Sequence, residues 1–161
     1  MTSRRRWLRG GLGTLSLMVL AAVPAVPRAG PVETPAPGAR DTCPVCGMFV
    51  AKYPDWLAGV RFKDGSRALF DGAKDLFKFW LDPGRYLPSR TRDEVVSLFV
   101  TDYYALEALD ARAALFVVGS DVHGPMGREL VPFATRGEAE EFLRDHRGEA
   151  VLAFDEVTPA L

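Results

Sequence analysis

One order of elements, met twice, limits this chain more than any other feature. Apolar runs separated by a turn, then a helical run, then a closing β-rich run occupy 56–101, and the same order returns over 114–154. In the first half, 56–62 and 68–70 flank Lys63-Asp64-Gly65-Ser66, and Asp-Gly between apolar runs is a strong hairpin signal. Asp71 then reads as the N-cap of a helix from Ala73 to Leu81, stopped by Asp82-Pro83-Gly84, with Val95 to Thr101 as the next strand. In the second half, 114–118 and 129–133 read as strands around a loop at 119–127. Thr135 caps a helix over 137–146, Gly148 ends it, and 151–154 closes the unit. Phe70-Asp71-Gly72 and Phe133-Ala134-Thr135 fall at the same strand-to-helix junction. The expected fold is α+β: two related β-β-α-β units in one compact domain, with a short helix over 103–110 between them. Phe77, Trp80 and Phe142 are expected in the core, with Ala139 and Leu143 on the buried face of the second helix.

The chain ahead of this pattern is of a different kind. Residues 1–29 carry a basic start, Ser3-Arg4-Arg5-Arg6-Trp7-Leu8-Arg9, and an apolar run from Leu12 to Ala25. The run is shorter than the roughly 20 residues that span a bilayer, so the expectation is an export signal cleaved near Ala25. Its Ser-Arg-Arg order resembles the twin-arginine type, and the expected location is the periplasm. No cysteine ends the run, so a lipid anchor is not expected. Residues 30–41, with Pro31, Pro35 and Pro37, read as an extended linker before a domain over 42–161. Without residues 1–25 the chain loses four arginines and no acids, leaving 16 basic and 21 acidic side chains, net −5. That balance points away from nucleic acid and anionic membranes.

The cysteine allocation points to chemistry. Cys43 and Cys46 are the only two, and a bridge closing so short a loop stabilises little. A zinc ribbon lacks its second ligand pair, and a c-type haem lacks a histidine where Gly47 stands. Neither a phosphate loop nor a Gly-x-Ser-x-Gly elbow is present. A soft monovalent ion, Cu(I), takes two or three thiolate or thioether ligands. Cys46 supplies the thiolate, and Met48 reaches the same side if Gly47 turns the backbone or if the segment is extended. Met126, flanked by Gly124, Pro125 and Gly127, is the outside sulfur. The alternatives stay open. Methionines are commonly core filler, the two cysteines can form a disulfide, and His123 is a ligand, a gate or simply solvated. His146 reads as structural, and Asp71, Asp75 and Asp121 as caps and surface groups rather than a carboxylate pair. An enzyme of thiol–disulfide exchange using Cys43-Pro44-Val45-Cys46 is the main rival, although Gly47 and the strand expected next leave its thiols without a helix dipole.

Residues 43–54, Cys-Pro-Val-Cys-Gly-Met-Phe-Val-Ala-Lys-Tyr-Pro, resemble the opening motif of the NosL family, accessory copper proteins of nitrous oxide reductase maturation. The resemblance continues through Phe70-Asp71-Gly72-Ala73-Lys74-Asp75, Val100-Thr101-Asp102-Tyr103-Tyr104 and the segment 119–127, and so runs through most of 42–155. It implies a periplasmic Cu(I) chaperone that is not an enzyme and whose acceptor is nitrous oxide reductase or another exported copper protein. It also implies a fold shared with part of the organomercury lyases, and copper ligands at Cys46, Met48 and Met126. A monomer or weak homodimer is expected. Family members are often lipoproteins; here that expectation meets no lipobox cysteine, and Cys43 stands ahead of the ligand cysteine as an alternative thiolate or redox partner.

Overall fold

The computed structural model describes residues 32, 34 and 36–159; the expected export signal lies outside them. After two 3-10 turns at Val50–Lys52 and Pro54–Trp56, the first sheet begins with β1 (Ala58–Phe62) and β2 (Arg67–Phe70). Gly65, at φ +82°, lets the chain reverse between them, and Arg61 pairs with Arg67 across the turn. Next come α1 (Ala73–Leu81), a short α2 (Pro83–Tyr86), β3 (Val95–Thr101) and β4 (Ala108–Asp110). All neighbours are antiparallel, in the order β2-β1-β3-β4. The second sheet is built from β5 (Leu115–Val118), β8 (Val131–Phe133) and β9 (Ala150–Ala153), with β5 in the middle. A small hairpin, β6 (His123–Gly124) and β7 (Gly127–Arg128), rises between β5 and β8, and α3 (Arg136–Asp145) lies between β8 and β9 in sequence. The fold is thus mixed α and β with antiparallel sheets.

Helix α1 joins the two sheets because opposite sides of it are apolar. Phe79 is fully buried, with its ring centroid 5.3 Å from that of Phe70 and 6.3 Å from that of Phe62 on the first sheet. Phe77 turns the other way and meets Phe116 of β5 edge-on at 4.9 Å and Phe154 at 5.0 Å. A smaller cluster, with Phe142 of α3 against Phe133 of β8 at 4.9 Å, closes the second sheet. Thr135 caps α3 as expected, its hydroxyl accepting the Glu138 N–H. Trp80, expected in the core, is only half-buried, its ring facing the guanidinium groups of Arg92 and Arg112. Leu143 is likewise half-buried.

Three local expectations are corrected. The helix over 103–110 is absent: the Asp102 carboxylate accepts the N–H groups of Tyr104 and Ala105, folding the chain into a turn before β4. The strand-like run after Met48 is instead the pair of 3-10 turns, the second beginning at Pro54, and the strand starts only at Ala58. The loop 119–127 contains the hairpin β6–β7, with Pro125 and Met126 at its turn.

Candidate metal centre

The segment 42–49 folds back on itself. Thr42 bridges Phe49, the Cys43 N–H donates to the Met48 carbonyl at 2.9 Å, and the Gly47 N–H returns to the Cys43 carbonyl at 2.8 Å. Gly47 sits at φ +78°, where a side chain is disfavoured, so the reversal needs glycine there. This loop carries both cysteines towards the first turn of α1. Cys43 is buried and Cys46 half-buried, and both thiols are free. The Cys46 Sγ donates to the two carboxylate oxygens of Asp71 at 3.3 and 3.4 Å, and the Cys43 Sγ to Asp75 Oδ2 at 3.5 Å. One donor atom from each of Cys43, Cys46, Asp71 and Asp75 falls within 4.8 Å of the others, a spacing that can hold a metal ion.

The electrostatics keep the metal-free thiols protonated. Burial pushes the Cys43 thiol far above its ordinary value, against the backbone N–H groups of Cys46, Val45 and Asp71 that face its sulfur. Cys46 is raised less, chiefly by burial, with the neighbouring carboxylates of Asp75 and Asp71 adding to it. Asp75 is almost wholly buried and is paired with Lys78 at 2.8 Å, which offsets one of the two negative charges. The arrangement is a protonated dithiol held against two carboxylates, and a soft cation that displaces the thiol protons gains two sulfur ligands at once.

The NosL family's sequence pattern matches residues 35–161. The chain belongs to the NosL family. It is 30% identical over 130 residues to the copper-binding lipoprotein NosL of Stutzerimonas stutzeri, a match covering 75% of this chain and 64% of that protein. The crystal structure of the copper chaperone NosL from Shewanella denitrificans superposes with a TM-score of 0.68 at 30% identity, covering 82% of this chain and 100% of that one. The solution structure of apo-NosL from Achromobacter cycloclastes matches with a TM-score of 0.45 at 25% identity, over 64% of this chain and 86% of that one. The first two relatives are named for copper, not for catalysis.

Within this NosL fold the sulfur residues expected from sequence occupy two places. Cys46 and half-buried Met48 share the reversed loop, while Met126 is 40% exposed at the tip of the β6–β7 hairpin. That hairpin meets the first turn of α1, where the Lys74 ammonium donates to the Met126 carbonyl at 2.6 Å. His123 is exposed on the same hairpin, its ring Nδ1 3.0 Å from the Asp121 carbonyl. His146 pairs with the exposed Asp121 carboxylate at 3.0 Å, and its ring centroid lies 4.3 Å from that of Phe142.

The aspartates are the correction. Asp71 does not cap α1: Gly72 occupies the N-cap position, and the first-turn N–H of Lys74 is taken by the Glu129 carboxylate instead. Asp71 and Asp75 are both buried against the thiols, a carboxylate pair rather than surface groups; only Asp121 stays at the surface. A signal for Asp75 was present. It stands four residues before Phe79, on the stripe of α1 that faces the core, where an acid has no business unless something polar is buried beside it.

Proposed function

We propose that this protein is a periplasmic Cu(I) chaperone that carries one copper ion on sulfur ligands and passes it to nitrous oxide reductase during assembly of its copper centres. The observation that carries the reading is the pair of thiols gathered at the first turn of α1, one half-exposed, in a chain of the NosL family. The names of the relatives support copper as the cargo. Cys46 is the thiolate donor, with Met48 beside it and Met126 from the hairpin as neutral thioether donors. Soft ligands favour the monovalent ion over divalent competitors bound through oxygen. A partly exposed site lets an acceptor ligand attack before the donor lets go, so copper moves by exchange without being freed. The thioethers leave first and the Cys46 thiolate last.

Thiol–disulfide exchange fits these residues poorly. Neither cysteine opens a helix; 3-10 turns follow the loop, and both thiols are raised rather than lowered. The test is an anaerobic Cu(I) competition titration of the reduced protein beside Cys46→Ser and Met126→Ala, followed by mixing the loaded protein with copper-free nitrous oxide reductase. One tight equivalent, lost in Cys46→Ser and weakened in Met126→Ala, with copper appearing in the acceptor, is the expected result. Weak binding by the parent protein would overturn the chaperone reading.

A further inference from the structure

The β6–β7 hairpin is too small to hold its own position. It has two residues in each strand, and it pairs with no other strand among the described residues. Isolated hairpins of this kind are marginal in water, so neighbouring elements must place it. An exposed contact of 3.8 Å between Arg128 and Glu149 contributes little. Val122, just ahead of it, packs against the Phe133–Phe142 cluster, and the hairpin's hydrogen bonds to another element form a reciprocal pair with the first turn of α1. The Lys74 ammonium donates to two hairpin carbonyls, Met126 at 2.6 Å and Arg128 at 2.5 Å. In return the Glu129 carboxylate, buried at the exit of the hairpin, accepts the backbone N–H of Lys74 at 2.5 Å and that of Leu130 at 3.1 Å.

The backbone is shaped around this latch. A Cβ placed on Gly72 would lie 2.5 Å from Glu129 Oε2, and one on Gly124 3.0 Å from the same atom. The carboxylate therefore fills a slot between the N-cap of α1 and strand β6 that only glycines leave open. The same helix start carries Asp71, whose carboxylate holds Cys46. Cys46, Asp71, the first turn of α1, Lys74 and Met126 thus form one connected path of contacts.

We infer that Lys74, braced by Glu129, is a positioning residue that sets the Met126 hairpin against the helix start that holds Cys46, and so tunes how tightly the two sulfur-bearing segments grip copper. This rests on the reading of Met126 as a copper ligand. Lys74 touches the hairpin through its carbonyls and leaves the thioether free. Its charge-assisted bonds to two carbonyls are the kind whose loss is felt when the acceptors belong to an otherwise loose segment.

The experiment is a double-mutant cycle on anaerobic Cu(I) affinity, using Lys74→Leu and Met126→Ala singly and together in the reduced protein. Lys74→Arg serves as the conservative control, and thermal unfolding checks that each variant is folded. Lys74→Leu, which removes both ammonium–carbonyl bonds, is expected to weaken Cu(I) binding by at least about tenfold and to speed copper loss to a soluble Cu(I) chelator. It is expected to have no further effect once Met126 is alanine, and Lys74→Arg is expected to restore most of the affinity. If Met126→Ala weakens binding while Lys74→Leu matches the parent, or acts equally in both backgrounds, the positioning role is wrong and the ligand reading stands. If Met126→Ala binds copper as the parent does, the ligand reading itself fails and the positioning role falls with it.

Discussion

Glu129 should make the metal-free protein less stable as pH rises from about 4.5 to about 7. Its side chain is only 5% exposed, and burial pushes its carboxyl up from 4.5 to about 7, although the N–H groups of Lys74 and Leu130 and the Lys74 charge pull the other way. Between those values the folded protein keeps a proton that the unfolded chain has released. The contribution is fully present below pH 4.5, shrinks as pH rises, and is gone above about 7. A gap of about 2.5 pH units corresponds to about 3 kcal/mol. Glu129→Gln removes the ionisation while keeping an acceptor oxygen for the two N–H groups. Urea unfolding of the reduced, metal-free proteins should therefore give similar stabilities at pH 4, with the variant ahead by about 3 kcal/mol at pH 8. Comparing the two proteins cancels every other titrating group. A difference that stays constant across that range would refute the claim that an unneutralised carboxylate is buried there.

Other tests address the helix and the thiols. Phe77→Ala removes the ring that meets Phe116 and Phe154 and should destabilise the protein by about 3–5 kcal/mol in urea unfolding. A loss under about 1 kcal/mol would mean that α1 is not what holds the second sheet. Because burial keeps both thiols protonated, copper must displace protons, and the apparent Cu(I) affinity should rise about tenfold per pH unit for each proton released between pH 6 and 8. A flat profile, once corrected for the competitor, would show that the thiols are already ionised.

Where the sequence was informative, local chemistry agreed with the tertiary structure. Asp64-Gly65 marks a turn because glycine alone relaxes at its φ, and Thr135 marks a helix start because its hydroxyl has an N–H to receive. The turn at Tyr103 was not legible. It depends on Asp102, whose other carboxylate oxygen accepts the Ala134 N–H from the far half of the chain, a partner no local pattern reveals. The site divides in the same way. Cys46 and the reversal at Gly47 could be read from their neighbours, and the exposed turn that carries Met126 from its glycine setting. Asp71 was misread because an aspartate just before a helix usually caps it. Here the cap position falls to Gly72, and the thiol arrives from 25 residues earlier. The Lys74–Glu129 latch spans 55 residues: the carboxylate accepts the Lys74 backbone N–H while the ammonium goes to hairpin carbonyls, and both residues look like ordinary surface groups in isolation.

The edges of the two sheets bear on how copies of the protein meet. Strand β8 has only three residues, with Pro132 at its centre, and β2 ends its sheet in four residues beginning with Arg67, whose guanidinium is tied to Asp41 at 3.0 Å. Beside β4, the Val32 N–H already occupies the Ala108 carbonyl. Short, proline-bearing or charged borders offer a poor template for strand addition. Strand addition at these three borders is therefore disfavoured even at high concentration, and a contact between two copies there is better made through side-chain faces.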